Sequence, residues 1–192
     1  MPAVSAFDEA YISAHKSLVD GDTQVALPAL QELARSGNVE ATILLGWAYL
    51  TGFGFPQSLS EAKNHLAKAA ALGSAAGSFY LGRAYAMEGN MGKATECYQS
   101  ASAQGFSPAQ FRLGLAYRDG RGVQRDLINA RRLLDTAARS GHRMALRELS
   151  LMEIRGAFGM AQIPIGSGRM VRFLALSIVD IIFSRQSTEH VT

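Results

Sequence analysis

The sequence predicts an all-α protein built as a solenoid of paired helices, and three registers predict it. A Leu-Gly-x-x-Tyr pattern recurs at Gly46, Gly82 and Gly114, each with leucine just before it and tyrosine three residues on (Tyr49, Tyr85, Tyr117). A second series pairs an alanine with a glycine eleven residues later: Ala26 with Gly37, Ala62 with Gly73, Ala94 with Gly105, Ala130 with Gly141. The third register joins the two, because nine residues beyond each of those glycines stands Gly46, Gly82, Gly114 or, last, Ser150. Spacings that hold together in this way mark internal repeats, each a supersecondary unit that must stack on its neighbours to bury a core.

Each unit reads as helix A, loop, helix B, glycine. A helix advances about 100° per residue, so the leucine, glycine and tyrosine of helix A share one face. Glycine inside a helix costs about 1 kcal/mol relative to alanine. Its recurrence therefore points to a neighbouring helix backbone passing too close for a side chain. Four residues before each alanine stands Asp22, Ser58, Asn90 or Asp126. All four are good N-caps for helix B, and Ser58 with Glu61 forms a capping box. Gly37, Gly73, Gly105 and Gly141 fall where a helix ends on a left-handed residue.

In chain order, the first unit has Ala14 and Ser17 in place of the glycine and tyrosine. Its helix B carries Pro28 beyond the first turn, where the ring clashes with the carbonyl four residues back. This predicts a kink near Gln24 to Pro28, or a later start than in the other B helices. The second unit, "ATILLGWAYLTGFGFPQSLSEA" (residues 41–62), has a long G-x-G loop; the third, around Gly82, lacks it. The fourth, "AQFRLGLAYRDGRGVQRDLINA" (residues 109–130), has it again. A phosphate-binding loop needs a preceding strand and a closing G-K-[S/T]. Here a helix precedes and no Lys-Ser/Thr follows, so Gly120 and Gly122 turn the chain between two helices. A last helix A near residues 144–155 has Ser150 and Glu153 at the glycine and tyrosine positions, as an atypical terminal repeat does.

The pattern resembles the Sel-one-like repeat (SLR) family, a relative of the tetratricopeptide repeat. That family's unit reads roughly A-x-x-x-L-G-x-x-Y-x-x-G-x-G-V-x-x-D-x-x-K-A, followed by a helix ending A-A-x-x-G. Residues 109–130 match nearly throughout, with Asn129 in place of the lysine; residues 41–62 match with Phe55 for Val, Ser58 for Asp and Glu61 for Lys. The units around Ala14 and Gly82 look more like ordinary tetratricopeptide repeats. The resemblance assigns residues 1–156 to a repeat domain of about three full repeats plus a terminal helix A. It implies a right-handed superhelical solenoid whose concave wall is built by A helices, and a non-catalytic adaptor or scaffold that binds a protein or peptide there.

Relative to the buried Leu-Gly-Tyr face, offsets +1 and −2 point away from helix B. They hold Trp47, Arg83 and Leu115 at +1, and Leu44, Tyr80 and Arg112 at −2. Aromatics interleaved with arginines are what protein-binding hot spots favour, so these six are the candidate partner-binding residues. Arg118, Arg121 and Arg125 lie outside that wall and read as a solvated cluster.

Composition agrees with a helical scaffold. Of 192 residues, 48% are hydrophobic and 18% charged, below the usual level of about 25%. Residues 1–96 carry six Lys/Arg against nine Asp/Glu; residues 97–192 carry thirteen basic residues, all arginine, against seven acidic ones. Such a split fits an acidic protein partner as well as a solvated basic face. The single cysteine, Cys97, excludes an internal disulfide and fits a reducing, cytoplasmic setting. It also departs from the cysteine-rich secreted SLR branch, so the penicillin-binding activity suggested for that branch is not carried over. No cationic start followed by an apolar run opens the chain, so no secretory leader is expected.

Catalytic constellations do not emerge. His15, His65, His142 and His190 form no i,i+4 pair and have no carboxylate at metal-ligand spacing; no G-x-S-x-G occurs. "IGSGRM" (residues 165–170) lacks both the third glycine and the βαβ setting of a dinucleotide site. The reading is no enzyme, no cofactor and no metal, with no nucleic-acid partner expected.

Residues 157–192 form an apolar appendage. "VRFLALSIVDIIF", which begins at Val171 and ends at Phe183, is too short for a bilayer span of about 20 residues, and Arg172 and Asp180 interrupt it. It is expected to be mainly helical, covering the apolar side of the last helix A (Leu146, Leu149, Met152), pairing with a second copy, or docking on a partner. The alternative function follows from the last of these: a regulatory subunit of a membrane-associated assembly, such as envelope polysaccharide machinery, held peripherally through this segment.

Overall fold

The computed structural model describes residues 6–154, and within them every regular element is an α-helix. The order is α1 (Ala6–Val19), α2 (Thr23–Arg35), α3 (Val39–Thr51), α4 (Leu59–Ala71), α5 (Ala75–Met87), α6 (Met91–Ala103), α7 (Ser107–Asp119), α8 (Leu127–Arg139) and α9 (Arg143–Ile154). Odd-numbered helices are the A helices and even-numbered ones the B helices. The chain divides into two compact units between Ala109 and Gln110. The domain boundary expected at residue 156 and the segment 171–183 lie outside the described residues.

The helix ends follow the residue choices read from the sequence. Gly37, Gly73, Gly105 and Gly141 have φ of 91°, 84°, 80° and 86°, and the amide after each bonds a carbonyl five residues back, as Asn38 does to Leu33 at 2.9 Å. This is the left-handed stop that satisfies carbonyls left open at a helix C-terminus. At the B-helix starts, Ser58 accepts from the Glu61 amide, Asn90 from Lys93, and Asp126 from both Ile128 and Asn129. Two expectations need correction. The Asp22 side chain makes no cap bond. The Ser58 amide is engaged by the Tyr49 carbonyl at 2.9 Å, so the Ser58–Glu61 capping box closes on one side only.

Pro28 does not delay its helix. α2 begins at Thr23, one residue after Asp22, just as α4, α6 and α8 begin one residue after their caps. Ala26, Leu30 and Leu33 are buried on the inner side of α2 while Pro28 is exposed. Burial of that face outweighs the one hydrogen bond the proline lacks.

In the first unit, α1 to α6 pack on their chain neighbours, and α3 also packs on α5. The interior is made of leucines between small residues: Leu18, Leu30, Leu45 and Leu66 are at most 1% exposed, and Ala26, Ala62 and Ala94 are equally sealed. Gly46 and Gly82 show why the repeat uses glycine. A Cβ at 46 would stand 2.5 Å from the Leu66 Cγ, and one at 82 would stand 2.6 Å from the Tyr98 ring and 3.0 Å from the Ala94 carbonyl. The obstacle is first a large side chain of helix B and then its backbone. Gly77, which the repeat pattern did not single out, is tighter in kind: its Cβ would meet the α4 backbone itself, 2.9 Å from Ala69 C and Ala70 N.

In the second unit α8 packs on α9, and Ala130, Leu134, Ala137, Ala145, Leu149 and Met152 form the core. Leu149 and Met152, on the apolar side of the last helix A that was expected to need a cover, are buried in this cluster, and Leu146 is buried as well. Ser150, at the position glycine holds in α3, α5 and α7, is fully buried and bonds the Leu146 carbonyl at 2.8 Å.

Candidate binding surface

In the first unit one side of the A helices opens into a groove of about 320 Å³. α3 supplies Glu40, Ile43, Leu44 and Trp47, which recur at helical spacing and so share a stripe. α1 adds Tyr11 and His15, and α5 adds Tyr80. Leu44 is 8% exposed and packs in the core, so it forms the floor; Trp47 and Tyr80 are half-buried and form walls. Each wall is braced. Trp47 lies 5.3 Å from the Phe53 ring, and Tyr80 meets the buried Phe79 edge-on at 5.2 Å, with Phe79 held in turn by Tyr98 and Phe106. The Arg83 guanidinium sits 5.7 Å from the Tyr80 ring centre. Across the groove Tyr11 stacks on His15, and burial, then the Glu40 carboxylate, pushes the Tyr11 phenol above its ordinary pKa. The surface is aromatic and apolar, with one acid at the rim and one arginine over a ring.

Four of the six candidate residues (Leu44, Trp47, Tyr80 and Arg83) therefore belong to the first unit, and the first three line one groove. Arg112, exposed, and Leu115, half-buried against the second unit's core, stand on α7. Tyr11, His15, Glu40 and Ile43 were not foreseen. His15 occupies offset +1 from Ala14, so carrying the same offset into the atypical first repeat would have found it. Tyr11 and Ile43 share offset −3, which becomes visible only once neighbouring A helices are in place.

The loop arginines are not uniformly solvated. Arg118 is bonded through Nη1 to Glu148 on α9 at 2.6 Å and through Nε to Asp119 at 2.7 Å. Its hydrogen bond holds the Asp119 carboxyl below the usual range. Arg121 is exposed and pairs with the same Asp119 at 3.3 Å.

Among the described residues His65, His142 and Cys97 have structural settings, while His190 lies outside the described residues. His65 stacks flat on Tyr49, and burial, with Lys68 adding to it, lowers its pKa. His142 stacks on Phe111 with ring centres 4.5 Å apart and accepts the Ala145 amide on Nδ1 at 3.2 Å, capping α9. Cys97 is half-buried, and burial pushes its thiol up, away from the thiolate a nucleophile needs. Among the described residues no group of His, Cys, Asp or Glu is placed to hold a metal ion, and no described helix is long and apolar enough to cross a membrane.

Comparison with known proteins gives this architecture its relatives. The sequence model of the Sel1 repeat matches residues 39–74, 75–106 and 107–142. Among solved structures, the chain is similar to a protective antigen present in uropathogenic Escherichia coli strains and displaying an SLR fold: TM-score 0.76 and 26% identity over 90% of this chain. The chain spans 41% of that antigen's length. A Sel1 repeat protein from Oxalobacter formigenes aligns with TM-score 0.74 and 22% identity over 84% of this chain and 68% of its own. MamA aligns with TM-score 0.64 and 20% identity over 92% and 98% of the two chains. No curated protein matches the chain by sequence. The fold is the SLR-type α/α solenoid.

Proposed function

The chain belongs to the Sel1 repeat family, and on that premise we propose that it is a non-catalytic scaffold that binds a peptide or protein segment along its A helices. One observation carries this reading: side chains of α1, α3 and α5 converge on a single aromatic-walled groove of about 320 Å³. Leu44 supplies a sealed apolar floor, and Trp47 and Tyr80, each fixed by a neighbouring ring, supply walls that lose little freedom when a ligand arrives. Arg83 beside Tyr80, and Arg112 and Leu115 on α7, extend the same reading. The setting we propose is cytoplasmic, on the strength of the single cysteine.

The test uses the chain's one tryptophan, which stands in the groove. A photo-cross-linking amino acid placed at position 80 identifies the partner in an extract of the native host. Titration of the purified partner against wild type is expected to change Trp47 emission, and Trp47→Ala and Tyr80→Ala are each expected to weaken binding about tenfold or more, as hot-spot aromatics do. Binding that neither substitution changes would place the partner elsewhere.

A further inference from the structure

Residues 52–58 and 120–126 are the same loop built twice. In each, an amide returns to a carbonyl five residues back (Phe53 to Ala48 at 3.1 Å, Arg121 to Ala116 at 3.0 Å). The cap-residue amide bonds the repeat tyrosine (Ser58 to Tyr49, Asp126 to Tyr117, both 2.9 Å). The side chain before the cap latches a carbonyl seven residues back: Gln57 Nε2 to Leu50 at 2.9 Å, Arg125 Nε to Arg118 at 3.1 Å. The glycines agree as well, with φ of 76° and 75° in one loop and 72° and 71° in the other.

What that backbone carries differs. Phe55 fills the inside of the first loop at 8% exposure; the second has the smaller Val123, half-buried. Ser60 at the start of α4 is replaced on α8 by Ile128, 80% exposed. Gln57 becomes Arg125 and Asn64 becomes Arg132. Tyr117, Val123, Leu127 and Ile128 now border a groove of about 710 Å³. Arg125 lines it, with the Asp119 carboxylate near enough to feel its charge, and Arg132 stands one turn beyond Ile128 on α8. Arg125 bonds a neutral carbonyl and Arg132 the Asn129 amide oxygen, and neither has a carboxylate ion pair among the described residues. The acid in the lining, Asp126, is committed to the Ile128 and Asn129 amides and the Asn129 side chain.

A lone exposed isoleucine is ordinary. An exposed isoleucine beside a groove, and two arginines without a carboxylate ion pair of their own, stand where the sister loop of the same closure has Ser60, Gln57 and Asn64, and they form a surface with a defined complement. We propose that the α7–α8 loop is a second docking surface, and that its occupant is a short acidic protein segment carrying one bulky apolar side chain. The apolar side chain enters beside Val123 and Ile128 while its flanking carboxylates meet Arg125 and Arg132, an arrangement in which burial gives affinity and charge gives orientation.

The sister loop supplies the test. V123F/R125Q/I128S/R132N gives the second loop the first loop's side chains at these four positions, and a circular dichroism melt checks its fold. Fluorescence polarisation is measured with a labelled dodecapeptide of Glu and Asp bearing one central Leu. The controls are the same peptide with central Ser, a Lys counterpart and a single-stranded oligonucleotide. Wild type is expected to bind the Leu peptide about tenfold tighter than the Ser peptide, the fourfold variant to lose about tenfold or more, and added salt to weaken binding. Trp47→Ala is expected to leave this binding unchanged, which separates it from the groove on α1, α3 and α5. Should the fourfold variant misfold, I128S and R125Q singly report the same loss. No binding of the acidic peptide, equal binding by the variants, or preference for the oligonucleotide would overturn the proposal.

Discussion

Gly114 on α7 stands so close to Leu134 on α8 that a Cβ added to it would lie 2.9 Å from the Leu134 Cγ, with the Ala130 carbonyl at 3.3 Å. The leucine can yield a few tenths of an ångström; a carbonyl in a helix cannot. Gly77 presents the harder case, because its nearest obstacles include the α4 main chain at 2.9 Å. Gly77→Ala is therefore expected to destabilise by about 1–3 kcal/mol, the range of overpacking. Gly114→Ala should cost less, since about 1 kcal/mol of helix propensity returns, and Gly114→Leu should cost several times as much. Thermal melts of the three variants rank them, and a Gly77→Ala melting at or above Gly114→Ala would contradict the packing account.

The register of glycines made this fold legible before any coordinates, because backbone contact and left-handed stops leave residue types that nothing else substitutes. Gly37 and Gly141 could be placed from sequence alone for that reason. Gly77 could not: its counterparts are Ala41 and Ala109, so the closer approach of α4 to α5 broke the pattern it belonged to. The groove was half legible. Trp47 and Tyr80 followed from offsets, whereas Tyr11, Ile43 and the burial of Leu44 depend on how neighbouring A helices sit. The basic loop was misread at Arg118, whose partner Glu148 is thirty residues away and invisible to local spacing.

Acid should weaken the fold through its histidines. Burial lowers the pKa of both His142 and His65, so the unfolded chain takes up protons first as pH falls. Stability contributed by these groups is full above the ordinary histidine range of about 6.5. It declines as pH drops through that value and levels off once the folded imidazoles are also charged. At His142 protonation of Nδ1 also removes the acceptor for the Ala145 amide. His142→Asn keeps a capping oxygen without a titrating group. Denaturant melts at pH 7.5 and pH 5 should show a smaller difference for the variant than for wild type; equal differences would remove His142 from the account.

Gln110 is 7% exposed, and no described group bonds its Oε1. A buried acceptor without a partner costs about 1–3 kcal/mol. Gln110→Met, close in shape and free of that oxygen, is expected to melt at the wild-type temperature or above it. A lower melting temperature would mean the amide is satisfied in solution.

The four B-helix caps separate into working and idle. Asp126 accepts two amides and Asp22 none, so Asp126→Ala should lower the melting temperature while Asp22→Ala leaves it nearly unchanged. Equal losses at the two sites would show that the aspartates act through charge at the helix ends rather than through their bonds.

Packing that runs from each helix to the next in the chain has a kinetic meaning. Within the first unit a helix meets its partners without waiting for a distant part of the chain to return, so little loop entropy opposes assembly, and folding can start at any hairpin and spread. Loss of structure runs the same way in reverse. Among the described helices α1 packs on one chain neighbour where α3 packs on two, so hydrogen exchange should be faster at α1 than at α3. A ligand in the groove touches α1, α3 and α5 together, and on binding it would tie the fraying edge to the protected centre.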